Sequence, residues 1–109
     1  MIILNITFAT EASLQEELCS FIKDTFIPAA VNDGFHSLIL SRVQPHDAAA
    51  DDGTVSLALQ MRASSEVEFE EFSSVTAPAL LDLMGRRWGA RVLFFFTRLD
   101  VLHDTNREQ

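Results

Sequence analysis

Residues 55–62 read Val-Ser-Leu-Ala-Leu-Gln-Met-Arg, an unbroken alternation of apolar with small or polar side chains. Period two specifies an extended strand with one face on a core and a different environment on the other. It rules out an all-helical chain and requires partner strands and a covering layer. The N-terminus repeats the pattern: Ile2, Leu4, Ile6 and Phe8 fall on one side, Ile3, Asn5 and Thr7 on the other. Two further extended segments, Phe35–Val43 and Val92 to about Val101, carry apolar residues on both parities. In the second of these, Leu93-Phe94-Phe95-Phe96 gives no alternation at all.

Between the strands the period changes to that of a helix. Leu14, Leu18, Phe21, Ile22 and Thr25 form one stripe, opened by a capping-box pattern at Ser13–Glu16. Pro28 predicts a kink or break near Phe26-Ile27, then a further turn to Asn32, with Asp33-Gly34 as the stop. Ser65–Glu68 is a second capping box. Phe69, Phe72, Thr76, Ala79, Leu80, Leu83 and Met84 mark the face that follows, with Pro78 bending it and Gly89 ending it. Gln44–Gly53, with Pro45, alanines and Asp51-Asp52-Gly53, reads as a flexible acidic loop, and His103–Gln109 as a polar tail that frays.

The order is strand, helix, strand, strand, helix, strand. That is the ferredoxin-like α+β arrangement, a four-stranded antiparallel sheet with two helices on one face. The expected layout is one domain over residues 1–102 and a tail over 103–109. By parity, Ile2, Leu4, Ile6, Phe8, Val55, Leu57, Leu59, Met61, Leu93, Phe95 and Leu99 face the helices. Ile3, Asn5, Thr7, Ser56, Ala58, Gln60, Arg62, Val92, Phe94, Phe96 and Arg98 then lie on the open face. Strands of ~6 residues at ~4.8 Å spacing give that face roughly 400 Å². Its mixture of aromatic and neutral polar groups suits two sheets facing each other across a partly polar cavity.

Charge and composition narrow the function classes. Sixteen acidic against eight basic residues give a net charge of −8, the wrong sign for displacing phosphate counterions from nucleic acid. The expected partners therefore include no nucleic acid. The first and third strands also lack the aromatic platform of an RNA-recognition sheet. One cysteine, Cys19, excludes a disulfide framework and a paired-Cys metal loop, and reads as a buried thiol in a helix. His36, His46 and His103 have no metal-ligand spacing, so no metal or other cofactor is expected. Ala9-Thr10-Glu11-Ala12 follows the first strand, where an acylphosphatase-like phosphate site would need an arginine. No stretch approaches the ~20 apolar residues of a membrane span, and the start has no basic region or cleavage site of a signal peptide. The expectation is a cytoplasmic protein without a membrane partner.

The ordered set Met1–Thr7, Ile27-Pro28, Ser41-Arg42-Val43, Ser56–Gln60, Ala77-Pro78-Ala79-Leu80 and Trp88-Gly89 resembles a bacterial domain-of-unknown-function family of small proteins, many from Bacteroidetes. That family is similar to the dimeric α+β barrel superfamily, which includes small monooxygenases of antibiotic biosynthesis, muconolactone isomerases and chlorite dismutases. The resemblance implies a ferredoxin-like protomer whose sheet pairs with that of a second copy, and it implies no settled activity. It also implies a His before the Ile-Pro pair, a His before the Ala-Pro pair and an Arg in the last strand. Here those positions are Phe26, Thr76 and Phe96. The departures favour an apolar binding pocket over catalysis.

The candidate pocket residues are Asn5, Thr7, Gln60, Arg62, Phe94, Phe96 and Arg98 on the open face, with His36 reaching in from the second strand and Phe26 from the first helix. Asn5, Thr7 and Gln60 either bond each other or water, or orient a ligand. Arg62 and Arg98 either receive a carboxylate or form ion pairs. The favoured reading is a homodimeric binding or interaction module with a small apolar cavity. The alternative is a cofactor-free monooxygenase- or isomerase-like enzyme on a small hydrophobic substrate, with Asn5, Gln60 or His36 as polar handles. A metabolite-sensing regulatory domain of the same topology ranks third.

Overall fold

The structure is a computed structural model that describes residues 1–44 and 53–105. The predicted acidic loop, with His46, lies mostly outside the described residues, as do the last four residues of the tail. The described residues form strands β1 (Ile2–Glu11), β2 (His36–Arg42), β3 (Thr54–Ala63) and β4 (Val92–Asp100) in one sheet of order β2-β3-β1-β4. Every neighbouring pair is antiparallel. Helical regions 15–32 and 66–88 connect β1 to β2 and β3 to β4, and both pack on one face of the sheet. This is the ferredoxin-like α+β fold.

The core lies between the sheet and those helices. Leu4, Ile6 and Phe8 of β1 and Leu57, Leu59 and Met61 of β3 are fully covered, as their alternation requires. Above them Phe26 stands edge-on to Phe8 with ring centroids 5.7 Å apart, and Phe72 packs 6.0 Å from Phe26 and 5.0 Å from Phe35. Such ring pairs each add about 0.5–1.5 kcal/mol beyond their burial. Leu18, Phe21 and Trp88 hold the two helical regions together, and the Trp88 Nε1 donates to Glu17 at 3.3 Å.

Both helical regions deal with their proline in the same way. Neither breaks. The first runs as α1 (Gln15–Phe21), a π-helical turn (Ile22–Phe26) and α2 (Ile27–Asn32). The second runs as α3 (Glu66–Glu71), a π-helical turn (Phe72–Thr76) and α4 (Ala77–Trp88). The N–H of Ile27 bonds the carbonyl of Ile22, and that of Ala77 the carbonyl of Phe72, each five residues back. The wider turn accommodates Pro28 and Pro78, which have no N–H to give and whose rings would crowd the carbonyl four residues back.

The extra residue in each π turn also moves the buried stripe. From the end of the turn onward, Phe26 and Ala30 are buried in the first region rather than Thr25, and in the second Ala77 and Trp88 join the expected Leu80 and Met84. Ala79 and Leu83, expected on the core face, are exposed.

The helix ends show which local signals act. Ser65 caps α3, its Oγ accepting from the Glu68 N–H at 3.3 Å, while Glu68 reaches back to the Ser64 N–H at 2.9 Å. Ser13, by contrast, caps nothing: it lies inside a 3-10 turn (Ala12–Leu14) ahead of α1, and neither start has a side-chain cap. After α2 the Phe35 N–H bonds Ala30 and the Gly34 N–H bonds Val31. That paired closure needs a left-handed residue, and Gly34 supplies it at φ +100°.

Candidate functional site

The helices leave one face of the sheet open, and strand register decides what it carries. Ile3 lies opposite Arg62, Asn5 opposite Gln60 and Thr7 opposite Ala58, so all six share the open face. Directly paired residues of an antiparallel ladder point the same way. On the other side of β1, Ile3 is opposite Leu99, Asn5 opposite Thr97 and Thr7 opposite Phe95. The β4 contribution to the open face is therefore Leu93, Phe95, Thr97 and Leu99.

This reverses the parity read from the sequence. Phe94, Phe96 and Arg98 pair with Phe8, Ile6 and Leu4 and turn to the helix side, as does the buried Val92. A strand that is apolar on both parities contains no internal mark of its face, so the hydrogen-bond register to β1 sets it. Phe94 and Phe96 contact each other edge-on at 5.9 Å and stay partly exposed beyond the edge of the helix layer. Arg98 forks onto Glu66 of α3, with Nη1 3.1 Å from Oε2 and Nη2 on Oε1, and its Nε donates to Asp100 at 2.9 Å. Its guanidinium also covers the Phe69 ring at 4.9 Å. The Arg98 hydrogen bonds hold the Glu66 carboxyl below the usual carboxylate range.

Phe26 is likewise absent from the open face: it is fully buried under the helices. Thr76, its counterpart at the end of the second π turn, donates its hydroxyl proton to Asp33 and so ties the two helical regions together. Neither position opens onto the hollow described next.

β2 supplies a feature that its sequence hides. His36 is opposite Arg62 and Ile39 opposite Gln60, so three steps on β2 match two on β3. The extra residue forms a bulge, with Ser37 in the left-handed region at φ +54°. Residues 36 and 39 would face opposite sides of a regular strand. The bulge puts both on the open face and leaves Leu38 and Leu40 packed against the core. That is why β2 shows no simple alternation.

Beside the bulge is a hollow of about 630 Å³. Met1, Ile3 and Ile39 supply its apolar surface, and His36, Gln60 and Arg62 its polar side. The His36 Nδ1 shares a hydrogen bond with the Ser37 hydroxyl and its Nε2 with the Ser64 hydroxyl, both at 3.2 Å. Arg62 donates from Nη1 to Asp104 at 2.8 Å. Asp104 belongs to the segment expected to fray, yet its side chain is only 11% exposed. Asn5 and Thr7 sit next to this hollow on the same face, joined by a long 3.4 Å bond from Asn5 Nδ2 to Thr7 Oγ1.

The structure thus brings His36, Gln60 and Arg62 together, places Asn5 and Thr7 beside them, and removes Phe94, Phe96, Arg98 and Phe26. Ser37, Ser64 and Asp104 were not foreseen. Positive φ at a serine and a tail carboxylate folded onto an arginine have no local sequence signature. Cys19 is half-buried against the core, and His103 is exposed beyond β4. Among the described residues, no three His, Cys, Asp or Glu side chains gather as metal ligands. No helix among them is long and apolar enough to cross a membrane.

Against known proteins, residues 1–102 match the family described as Domain of unknown function (DUF4286). No curated protein matches by sequence. Similar solved structures share the fold at low identity. A dimeric ferredoxin-like protein from an uncultured marine organism has a TM-score of 0.62 at 11% identity, covering 94% of this chain and 96% of that one. A second dimeric ferredoxin-like protein from an uncultured marine organism has a TM-score of 0.57 at 14% identity, covering 95% and 98%. An ethyl tert-butyl ether d (ethd) family protein from Bacillus halodurans C-125 has a TM-score of 0.61 at 10% identity, covering 94% and 100%.

Proposed function

We propose, for a chain that belongs to the DUF4286 family of domains of unknown function, that it acts as a homodimeric binding module whose two sheets enclose a small, mainly apolar cavity. The observation that carries this reading is the apolar ridge on the open face. On β4 Phe95 is 63% exposed and Leu93 54%, and on the opposite edge strand Ile39 is 58% exposed, on a face that also carries the polar Asn5, Thr7, Gln60 and Arg62. The ridge residues are not those the sequence pointed to, but their chemistry is the same.

Charge and size support it further. Arg62 is already neutralised by Asp104, and Glu16, Glu17, Glu66 and Glu71 lie on the helical layer, away from an approaching second sheet. Strands averaging about nine residues give a face of roughly 550 Å². Two such faces bury about 1,100 Å², above the ~1,000 Å² a biological interface should clear and just short of the ~1,200–2,000 Å² of stable ones. The edge phenylalanines Phe94 and Phe96, partly exposed on the other side of β4, are available to enlarge it. Two structural neighbours are described as dimeric, in agreement with this. In this reading residues 1–102 form the domain and the protein works in the cytoplasm on a small hydrophobic molecule, with neither nucleic acid nor membrane as partner. Light scattering during size-exclusion chromatography is the test: a dimer at micromolar concentration is expected, and a monomer there overturns the reading.

A second reading, a cofactor-free enzyme on a small hydrophobic substrate, is favoured by one observation: His36 sits in the hollow between two hydroxyls with Gln60 nearby. It requires turnover that falls at least tenfold in His36→Ala or Gln60→Ala. Turnover indifferent to both substitutions removes it.

A further inference from the structure

Resting on the binding-module reading and naming its ligand class, we infer that the hollow is a receptor for small monocarboxylates, and that Asp104 occupies the carboxylate seat in cis. The seat is Arg62. Of its donors, Arg62 gives Nη1 to Asp104. A guanidinium presents five N–H groups in a planar fork, and a free carboxylate satisfies it better by binding two of them. The present contact thus uses less of the fork than a free carboxylate could.

The surroundings define the rest of the ligand. Beside Arg62 on β3 stands Gln60, whose amide can donate to the same anion, and across on β2 stands His36, held at the wall by its bonds to the Ser37 and Ser64 hydroxyls. Ile3 and Ile39 flank them and offer a short aliphatic or aromatic group an apolar wall. A hollow of about 630 Å³ falls within the ~300–1,000 Å³ typical of small-molecule sites. The surroundings favour a ligand of low charge: among the described residues Arg62 is the one cationic side chain lining the hollow, Asp104 lies against it, and Glu68, bonded to the Ser64 N–H, stands by the rim. The site was shaped at some cost, since Ser37 is the one non-glycine residue at positive φ among the described residues, and its bulge is what turns His36 and Ile39 inward together.

A tethered carboxylate competes with a free one at an effective concentration of roughly millimolar. Removing its charge should therefore improve binding, an outcome that a purely structural Arg62–Asp104 pair does not produce. The full-length protein is titrated with benzoate and hexanoate, and with benzamide as the uncharged isostere, by calorimetry and by amide shifts in nitrogen-correlated NMR spectra. Expected are shifts confined to the neighbourhood of residues 36, 39, 60 and 62, no binding of benzamide, and at least fivefold tighter binding to Asp104→Asn. Arg62→Lys, which keeps the charge but loses the fork, should weaken binding at least fivefold, and circular dichroism confirms that each variant is folded. Failure of Asp104→Asn to bind either acid at millimolar concentration overturns the inference, as does equal affinity in Asp104→Asn and wild type. Oligomeric state, measured on the same samples, separates the two proposals: a monomer that binds benzoate overturns only the dimer, and a dimer that ignores both acids overturns only the ligand class.

Discussion

β3 and β4 flank β1 with the same antiparallel pairing, yet they differ in almost every other respect. On β3 the helix-side residues Leu57, Leu59, Met61 and Ala63 are all buried, and the residues between them are not. On β4 only Val92 is buried, and every residue from Leu93 to Asp100 is exposed, whichever side it faces. The cause is position. The helical layer covers the two central strands and stops short of the edge. β3 has a sequence explained by its own protomer. β4, with its run of phenylalanines, does not, and an exposed apolar edge is an association surface.

The largest test of that contrast is a pair of truncations. Leu59→Ala on β3 should cost about 2–5 kcal/mol, because it opens a cavity in a closed core. Leu93→Ala on β4 should cost less than about 1 kcal/mol in the dissociated protein, since its side chain already contacts solvent. Urea unfolding at low protein concentration measures both. Equal losses would mean that β4 is packed within the protomer after all.

Next in size is the effect of a charge on the ridge. Phe95→Asp places a carboxylate on the exposed apolar edge strand of the proposed sheet-to-sheet contact, and should raise the dimer dissociation constant more than tenfold. The melting temperature of the wild type should rise with protein concentration, as dissociation linkage demands, and that of Phe95→Asp should not. A concentration-independent wild-type melting curve would remove β4 from any interface.

A smaller effect distinguishes the other edge strand. Ser37→Gly on β2 relieves a left-handed backbone and should stabilise the fold by about 0.5–1 kcal/mol, at the expense of one exposed hydrogen bond to His36. Ser37→Val, β-branched at the same angle, should destabilise it by at least as much. Thermal unfolding of the two variants gives opposite signs if the bulge is as described.

These contrasts also explain what could be read in advance. Element order and the central strands were legible, because Ile2–Phe8 and Val55–Arg62 alternate and the helices cover only one side. The face of β4 was not: Phe94 and Phe95 are the same residue, and only pairing with Phe8 and Thr7 distinguishes them. The helix stripe holds up to each π turn; from there Thr25, Ala79 and Leu83 leave the core face while Leu80 and Met84 stay on it, because a π turn adds a residue that hydrophobic periodicity does not announce. The candidate site divided along the same line. Asn5, Thr7, Gln60 and Arg62 lie on alternating strands, and the register puts them on the open face that the alternation predicts. His36 was recognised as reaching a pocket without the bulge that aims it, and Asp104 was assigned to a fraying tail because a long-range ion pair leaves no local trace.

The finest test concerns which way Arg98 points. Its hydrogen bonds lower the Glu66 carboxyl, so Glu66 binds a proton less readily in the folded chain than in the unfolded one. The sign follows: the stabilisation is fully present above the ordinary glutamate range and is lost as pH falls through the lowered folded value. Both groups are solvent-exposed, so the effect on overall stability is small, and the direct readout is the Glu66 side-chain titration by NMR. In the wild type Glu66 should titrate below the ordinary glutamate range. In Arg98→Met it should return to the ordinary range, and the acid side of the stability curve should become slightly shallower. Had β4 kept the parity its sequence suggested, Arg98 would lie across the sheet from Glu66, and its removal would leave that titration where it was. A single carboxylate on α3 thus reports the facing of the strand on which the proposed dimer depends.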